Sequence, residues 1–383
     1  MASAGQDRTV SDSRERKTVG IPTASIDFLR GIAAIYVVIN HARGNLFVGG
    51  EAILAGGDAT LLDKIAIALL QATALGTEFV VLFFVLSGFA MAHSVSHTRS
   101  RAGFYLKRMI RVWPAYLAAL AFAVVVCVVV TKLGTQYKFG QGCAEKLCEV
   151  GNVLRIAFYL DVKTSLTPQF WSLPYEIAFY AMDPFILSSQ RLVIFVFIAS
   201  CFGMMLSMIF FGLKFNPAGF WENFFLQEIF LFAVGAMAYR FFEKIPIVGG
   251  VKLISIMTLS FLSALLIKKI YGETNLIGNI IFSIATVILI RNLPNGFGES
   301  KLNFGYFSYS IYIYHVAILG LFLALLQVAG WDGAMLTSYW GWLLALPPTI
   351  GFCWILWWCS ERPCIAVLDR IRQRQRVNVE ATS

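Results

Sequence analysis

Polar and apolar positions along this chain sort into long apolar runs separated by short polar stretches, and the runs set the elements. A helix needs roughly 20 apolar residues to cross a bilayer. Runs of that kind lie near 26–47, 75–95, 112–131, 170–188, 192–213, 223–242, 251–268, 275–292, 306–328 and 338–359. The pattern predicts an all-α fold, a polytopic transmembrane helix bundle of about ten spans. Two runs are interrupted. The fourth carries Pro174 and Glu176, and the first carries Asp27, Arg30 and His41. The stretch 60–72, TLLDKIAIALLQA, is amphipathic and suits a helix lying in the interface. The runs show neither an internal repeat nor a Gly/Ser linker. The chain divides into an N-terminal arm, 1–22, expected to be disordered, a membrane domain, 23–365, and a basic tail, 366–383.

Composition supports this division. Of 383 residues, 58% are hydrophobic and 14% are charged, whereas soluble domains carry about 25% charged residues. A net charge of +9 raises the question of nucleic acid. The positions of the charges exclude it, because they sit in short loops between apolar runs, as in membrane proteins. The first two dozen residues lack an apolar core and do not read as a cleaved signal. Lys and Arg gather in the arm and in 96–111, 240–252 and 362–376, which predicts cytoplasmic termini and an even number of spans. The tail sequence LDRIRQRQRV suits anionic headgroups or plain solvent equally well.

Cysteines add little chemistry. Cys127, Cys201, Cys353 and Cys359 fall in apolar runs and read as packing residues, and Cys364 follows the last run. Cys143 and Cys148 lie in the long 132–169 loop. In this orientation the loop faces outside, where the pair either forms a disulfide or stays as two thiols. No Cys/His spacing points to a metal.

The polar residues inside the runs carry more. Arg30 and His41 are eleven positions apart, which leaves a phase difference of about 20° and a separation of about 16 Å along one helix face. Asp27 lies three residues before Arg30, close to the same face. Such residues are costly in lipid and point inward, as parts of a site or as pairs. Two readings stay open here: a functional face, or an Asp27–Arg30 clasp with His41 as a helix-to-helix hydrogen bonder. YLKRMIRVWP supplies Lys107, Arg108 and Arg111, and the last two share a face. FWSLPYEIAFY supplies Trp171, Ser172 and Glu176, and a buried Glu needs a cation, a donor or a proton. Tyr312 and His315 are three apart and share a face. Glu361, Arg362 and Pro363 read as a helix stop. Singly these are anchors, aromatic belts and stops. Together they place acids, bases and cations along one bundle, as general acid–base chemistry requires.

In this order the motifs resemble membrane acyltransferase family 3 over about residues 23–365. Asp27, Arg30 and His41 match its Asp-x-x-Arg followed by ten residues and a His. FFVLSGF at Phe83–Phe89 matches its second-helix motif, and Arg108, Arg111 and Pro114 match a basic motif. Trp171 and Glu176 match Trp-Ser-Leu-x-x-Glu. SYSIYIYH and Glu361-Arg362-Pro363 match the two late motifs. One departure is clear: members often carry an acid two residues before the Phe-Phe pair, where this chain has Val81. Glu78 lies nearby, three positions out of register. Some members also carry a soluble hydrolase-like domain that completes transfer. This sequence has none, so the chain is expected to finish the reaction alone or with a partner.

The resemblance implies an O-acetyltransferase of the bacterial cytoplasmic (inner) membrane. Its donor would be acetyl-CoA or another acyl-CoA acting as co-substrate, with no bound cofactor and no metal. Its acceptor would be a hydroxyl of an extracytoplasmic or lipid-linked glycan such as exopolysaccharide or O-antigen. Expected partners are these substrates, membrane lipids and polysaccharide-assembly proteins, and no nucleic acid. The resemblance gives His41, Glu176 and Asp27 catalytic roles. It assigns Arg30, Arg108, Arg111 and Lys107 to the donor, and Trp171, Ser172, Tyr312 and His315 to substrate binding. Two other classes compete. A transporter or flippase of a glycan intermediate also uses intramembrane His, Glu and Arg, but the missing repeat counts against it. A structural subunit of an assembly complex is the third.

Overall fold

A computed structural model describes residues 23–47, 49–98, 100–134, 149–160, 166–212, 220–271, 276–294, 299 and 303–380. The N-terminal arm and the Cys143/Cys148 pair lie outside these residues. The described residues are helical, without strands. In chain order they are α1 (Thr23–Leu46), α2 (Gly50–Ala55), α3 (Leu61–Leu70), α4 (Gly76–Ser96), α5 (Arg101–Lys132), α6 (Val150–Ala157) and α7 (Leu173–Ile186). Next come α8 (Gln190–Phe211), α9 (Phe220–Asn223), α10 (Ile229–Arg240), α11 (Gly250–Tyr271) and α12 (Leu276–Asn292). The chain ends with α13 (Ser308–Val328), α14 (Asp332–Thr337), α15 (Leu346–Cys359) and α16 (Glu361–Glu380).

Among the described residues, seven stretches are long and apolar enough to span a membrane, with Leu61–Ser96 counted as one. The expected runs at 170–188, 223–242 and 275–292 form shorter helices, the first two for a local reason. Before α7 the chain makes a 3-10 turn, Pro168–Ser172, and Pro174 sits in the first turn of α7. That proline starts the helix instead of interrupting it, because its missing N–H would be unpaired there anyway. A π-turn, Phe224–Glu228, separates α9 from α10. α12 is 17 residues long. The amphipathic reading of 60–72 corresponds to α3, capped by Thr60 and Asp63, with Leu61, Leu62, Ile65 and Leu69 exposed.

Close helix packing depends on glycine. α4 and α10 make the most extensive contact in the bundle. A Cβ on Gly88 would lie 2.0 Å from the Phe232 carbonyl oxygen, and one on Gly235 would lie 2.0 Å from that of Val85. Without lipid-excluding water to drive association, small residues let membrane helices gain contact by close approach. α1 sits between α4 and α13, and a Cβ on Gly305 would meet the Asp27 carbonyl oxygen at 2.0 Å. α5 and α15 pack on α13, α8 on α10, and α11 on α12. Cys127 and Cys353 are buried as expected of packing residues, whereas Cys359 is exposed at the end of α15.

One end of the bundle is rich in cations. There the Ser96 hydroxyl meets the Tyr239 hydroxyl at 2.6 Å. Arg240 donates to the Leu187 carbonyl. Arg291 lies over the Phe242 ring at 4.8 Å, and Arg362 over the Trp358 ring at 3.3 Å. This is the basic end of the bundle.

Candidate active site

α1, α4, α5, α7 and α13 surround a cavity of about 720 Å³, its open mouth included. Each contributes a polar side chain one to three turns from a helix end: Arg30, Ser87, Arg108 with Arg111, Glu176, and Tyr312. Arg30 donates to the Ser87 hydroxyl at 3.3 Å, and Ser87 donates to Glu176 Oε1 at 3.2 Å. The Tyr180 hydroxyl also donates to Glu176 Oε1. The carboxylate expected to need partners therefore has two hydroxyl donors and a guanidinium one bond further away. Arg108 stands 5.5 Å from the ring centres of both Phe104 and Tyr180, a cation held by two aromatic faces.

Ser172 and Tyr312 meet at 2.6 Å, and the Tyr312 hydroxyl donates to the Gln169 carbonyl at 2.9 Å. Ser172 is then the donor to Tyr312. Gln169 Nε2 in turn donates to the Ile313 carbonyl at 2.9 Å. This buried chain ties the turn before α7 to α13 and fixes the cavity wall.

The two histidines lie deeper along α1 and α13. Their rings are edge to face, with centres 5.1 Å apart. His315 is fully buried, and its Nδ1 lies 2.9 Å from the Ile311 carbonyl. A carbonyl only accepts, so Nδ1 carries the proton and Nε2 of the neutral ring keeps a lone pair. That Nε2 is buried without a hydrogen-bond partner among the described residues. Tyr312 joins the two groups, because it lines the cavity and its ring lies 6.3 Å from that of His315.

The structure thus brings Arg30, Arg108, Arg111, Glu176, Ser172 and Tyr312 to one cavity and sets His41 and His315 beside each other beyond it. Trp171 stays outside the lining, edge-on to Phe84 at 6.2 Å. Lys107 also stays outside, since one residue along a helix turns the side chain about 100° away from Arg108. Asp27 does not line the cavity. The Asp27–Arg30 clasp is not formed among the described residues, because Arg30 turns to Ser87 instead. Glu78 does not replace the missing acid. It is buried and pairs with Lys268 at 3.6 Å, away from the cavity.

Three features were not legible as site parts. Ser87 belongs to the FFVLSGF motif, but nothing in its spacing marks it as the bridge between Arg30 and Glu176. Asp183 is fully buried within electrostatic range of Arg108, and neither of its carboxylate oxygens has a hydrogen-bond partner among the described residues. Its place before Pro184 in an apolar run was the available signal. Glu361 is not a simple stop. It is buried and accepts from the Ser310 hydroxyl at 2.6 Å and the Ser310 amide at 3.2 Å, in the first turn of α13. Burial raises the pKa of the Glu361 carboxyl, while the Ser310 hydroxyl and Arg111 lower it.

Three guanidinium groups against the single lining carboxylate make the cavity attractive to an anionic ligand. A family model described as an acyltransferase domain, acyltransferase family 3, matches residues 23–358. The chain belongs to this family, and it is a membrane acyltransferase. Neither a search of curated proteins nor a search of solved structures returns a match.

Proposed function

We propose that this acyltransferase moves an acetyl or other short acyl group from cytoplasmic acyl-CoA to a hydroxyl of an extracytoplasmic or lipid-linked glycan. The observation that carries the reading is the order of groups along the bundle. A cavity with three guanidiniums opens nearer the basic end, and beyond it lies an imidazole whose Nε2 has no hydrogen-bond partner among the described residues, against a second imidazole. In this reading the basic end faces the cytoplasm, as the positive-inside rule expects. Arg30, Arg108 and Arg111 hold the anionic donor. Glu176 orients Arg30 through Ser87. His41 takes the proton of the acceptor hydroxyl as its oxygen attacks the thioester carbonyl. The C–O ester bond forms, the C–S bond breaks, and the proton passes to the leaving thiolate to give free CoA. A route in which His41 first carries the acyl group balances equally well. His315, fixed in one tautomer, positions His41.

The test is transfer in a defined system. Purified protein in lipid nanodiscs is given labelled acetyl-CoA and an isolated glycan, and the glycan is weighed. An added acetyl mass on the glycan is the expected result. Movement of unmodified glycan across a proteoliposome membrane, with no acetyl gained, would replace this reading by the transporter.

A further inference from the structure

We propose that a second cavity, at the basic end, binds the phosphate-bearing nucleotide end of the acyl-CoA donor. The proposal rests on the acyl-CoA reading above and adds a place for the part of the donor remote from the thioester. This cavity measures about 700 Å³ including its mouth and lies where α4, α7 and α10 end and α5 begins. Arg101 and Arg240 both line it, and no carboxylate does so among the described residues. Asp183, the nearest acid along α7, does not line it and interacts with Arg108 and Glu176 instead.

The donors left free there are suited to a phosphate. The hydroxyls at the rim are already spent on backbone carbonyls: Thr98 on Ser94 at 2.8 Å and Ser188 on Phe185 at 2.7 Å. Arg240 gives one N–H to Leu187, but its Nε is buried without a hydrogen-bond partner among the described residues. A buried donor left unpaired is destabilising, and a bound acceptor would recover that loss. Arg101 lies over the Phe185 ring at 4.5 Å and has no ion pair among the described residues. α5 is 32 residues long, and its cap, Ser100 Oγ, accepts only the Gly103 amide. The amides of Arg101 and Ala102 therefore have no partner within the helix. Two guanidinium forks and a helix N-terminus, free of any acid, recognise a phosphate monoester or diphosphate.

The cavity also lies next to the candidate active site. Phe104 lines it, and Arg108 of the first cavity stands over that same ring. Ser96 at its rim and Ser87 in the first cavity lie nine residues apart on α4, about 13 Å along the axis. An extended diamide arm such as that of pantetheine covers that span. Phosphates held by Arg101 and Arg240 would send the arm past Phe104 and Arg108 into the first cavity, with the thioester end running on toward Tyr312 and the His41–His315 pair.

The test compares initial rates of the full chain in nanodiscs with acetyl-CoA and with S-acetylpantetheine, which lacks the nucleotide and phosphates. Wild type should prefer acetyl-CoA in kcat/KM. In Arg101→Glu that preference should fall by roughly tenfold or more, as loss of a charge-assisted bond predicts, and Arg101→Lys should restore most of it. Arg240→Gln should lower it too. Arg101 is exposed and holds no backbone carbonyl, so its variant separates binding from folding. An unchanged preference in both charge variants overturns the site. So does a variant that keeps the preference while losing a wild-type dependence on phosphatidylglycerol in the disc, which would assign the cavity to a lipid headgroup. A wild type that uses neither thioester defeats the acyl-CoA reading itself, a different outcome from either.

Discussion

α1 and α11 are both apolar helices of membrane length, 24 and 22 residues, yet 44% of the spanning window of α1 is buried against 6% of that of α11. α1 carries Arg30 and His41 and is enclosed by α4 and α13. α11 packs mainly on α12, has Ala264 as its one fully buried residue, and leaves the others exposed or half-buried, with Lys268 reaching Glu78 on α4. The lesson is that length and hydropathy identify a span but not its job. A helix dissolved in lipid has to be apolar all round. A helix enclosed by others can carry polar groups, provided neighbouring helices supply their partners.

This contrast can be broken at either helix. The largest effect belongs to His41→Ala, which should lower transfer by about 10²–10⁴-fold while membrane insertion and yield stay normal. Retained glycan acetylation in that variant would remove His41 from the chemistry. Next comes Arg108→Ala combined with Arg111→Ala. Loss of two charge-assisted contacts should weaken acyl-CoA binding by roughly 10–100-fold, measured by titration of the purified protein. Unchanged affinity would take both arginines out of the donor site. Gly235→Leu should reduce folded yield through overpacking that costs about 1–3 kcal/mol, because its new Cβ would collide with the Val85 carbonyl. A thermal melt equal to wild type would mean that the α4–α10 contact is looser than described. The smallest effect is expected on α11. Ser255, whose hydroxyl bonds only the Val251 carbonyl on its own helix, should tolerate Ala within about 0.5 kcal/mol and with normal turnover. A marked loss there would give α11 a role that its exposure does not suggest.

Much of this was legible in the sequence for a simple reason. Periodicity and run length are local, and the long apolar runs correspond to the long helices. The phase of Arg30 and His41 on α1 does place both inside the bundle. The cavity itself is a different matter, because its bonds join residues far apart in sequence. Arg30 to Ser87 crosses 57 positions and Ser87 to Glu176 crosses 89, and no local pattern records such a pairing. The same limit explains the Asp27–Arg30 clasp. Sequence proximity suggested it, while a hydroxyl on α4 took the guanidinium. Pro174 shows the converse. Its identity was plain, but whether a proline ends or begins a helix depends on which residue forms the first turn, and the 3-10 turn before it settled that.

The glycine contact between α4 and α10 has a mechanical consequence. Where two carbonyl oxygens occupy the space that side chains would otherwise hold, neither helix can slide without a collision. α4 and α10 therefore behave as one rigid post. Any breathing that admits an acceptor or releases product must come from the elements hung on that post, chiefly the short α7 and the α1–α13 pair. Clamping α7 to α5 with an engineered crosslink should then stall turnover, whereas clamping α4 to α10 should leave it running.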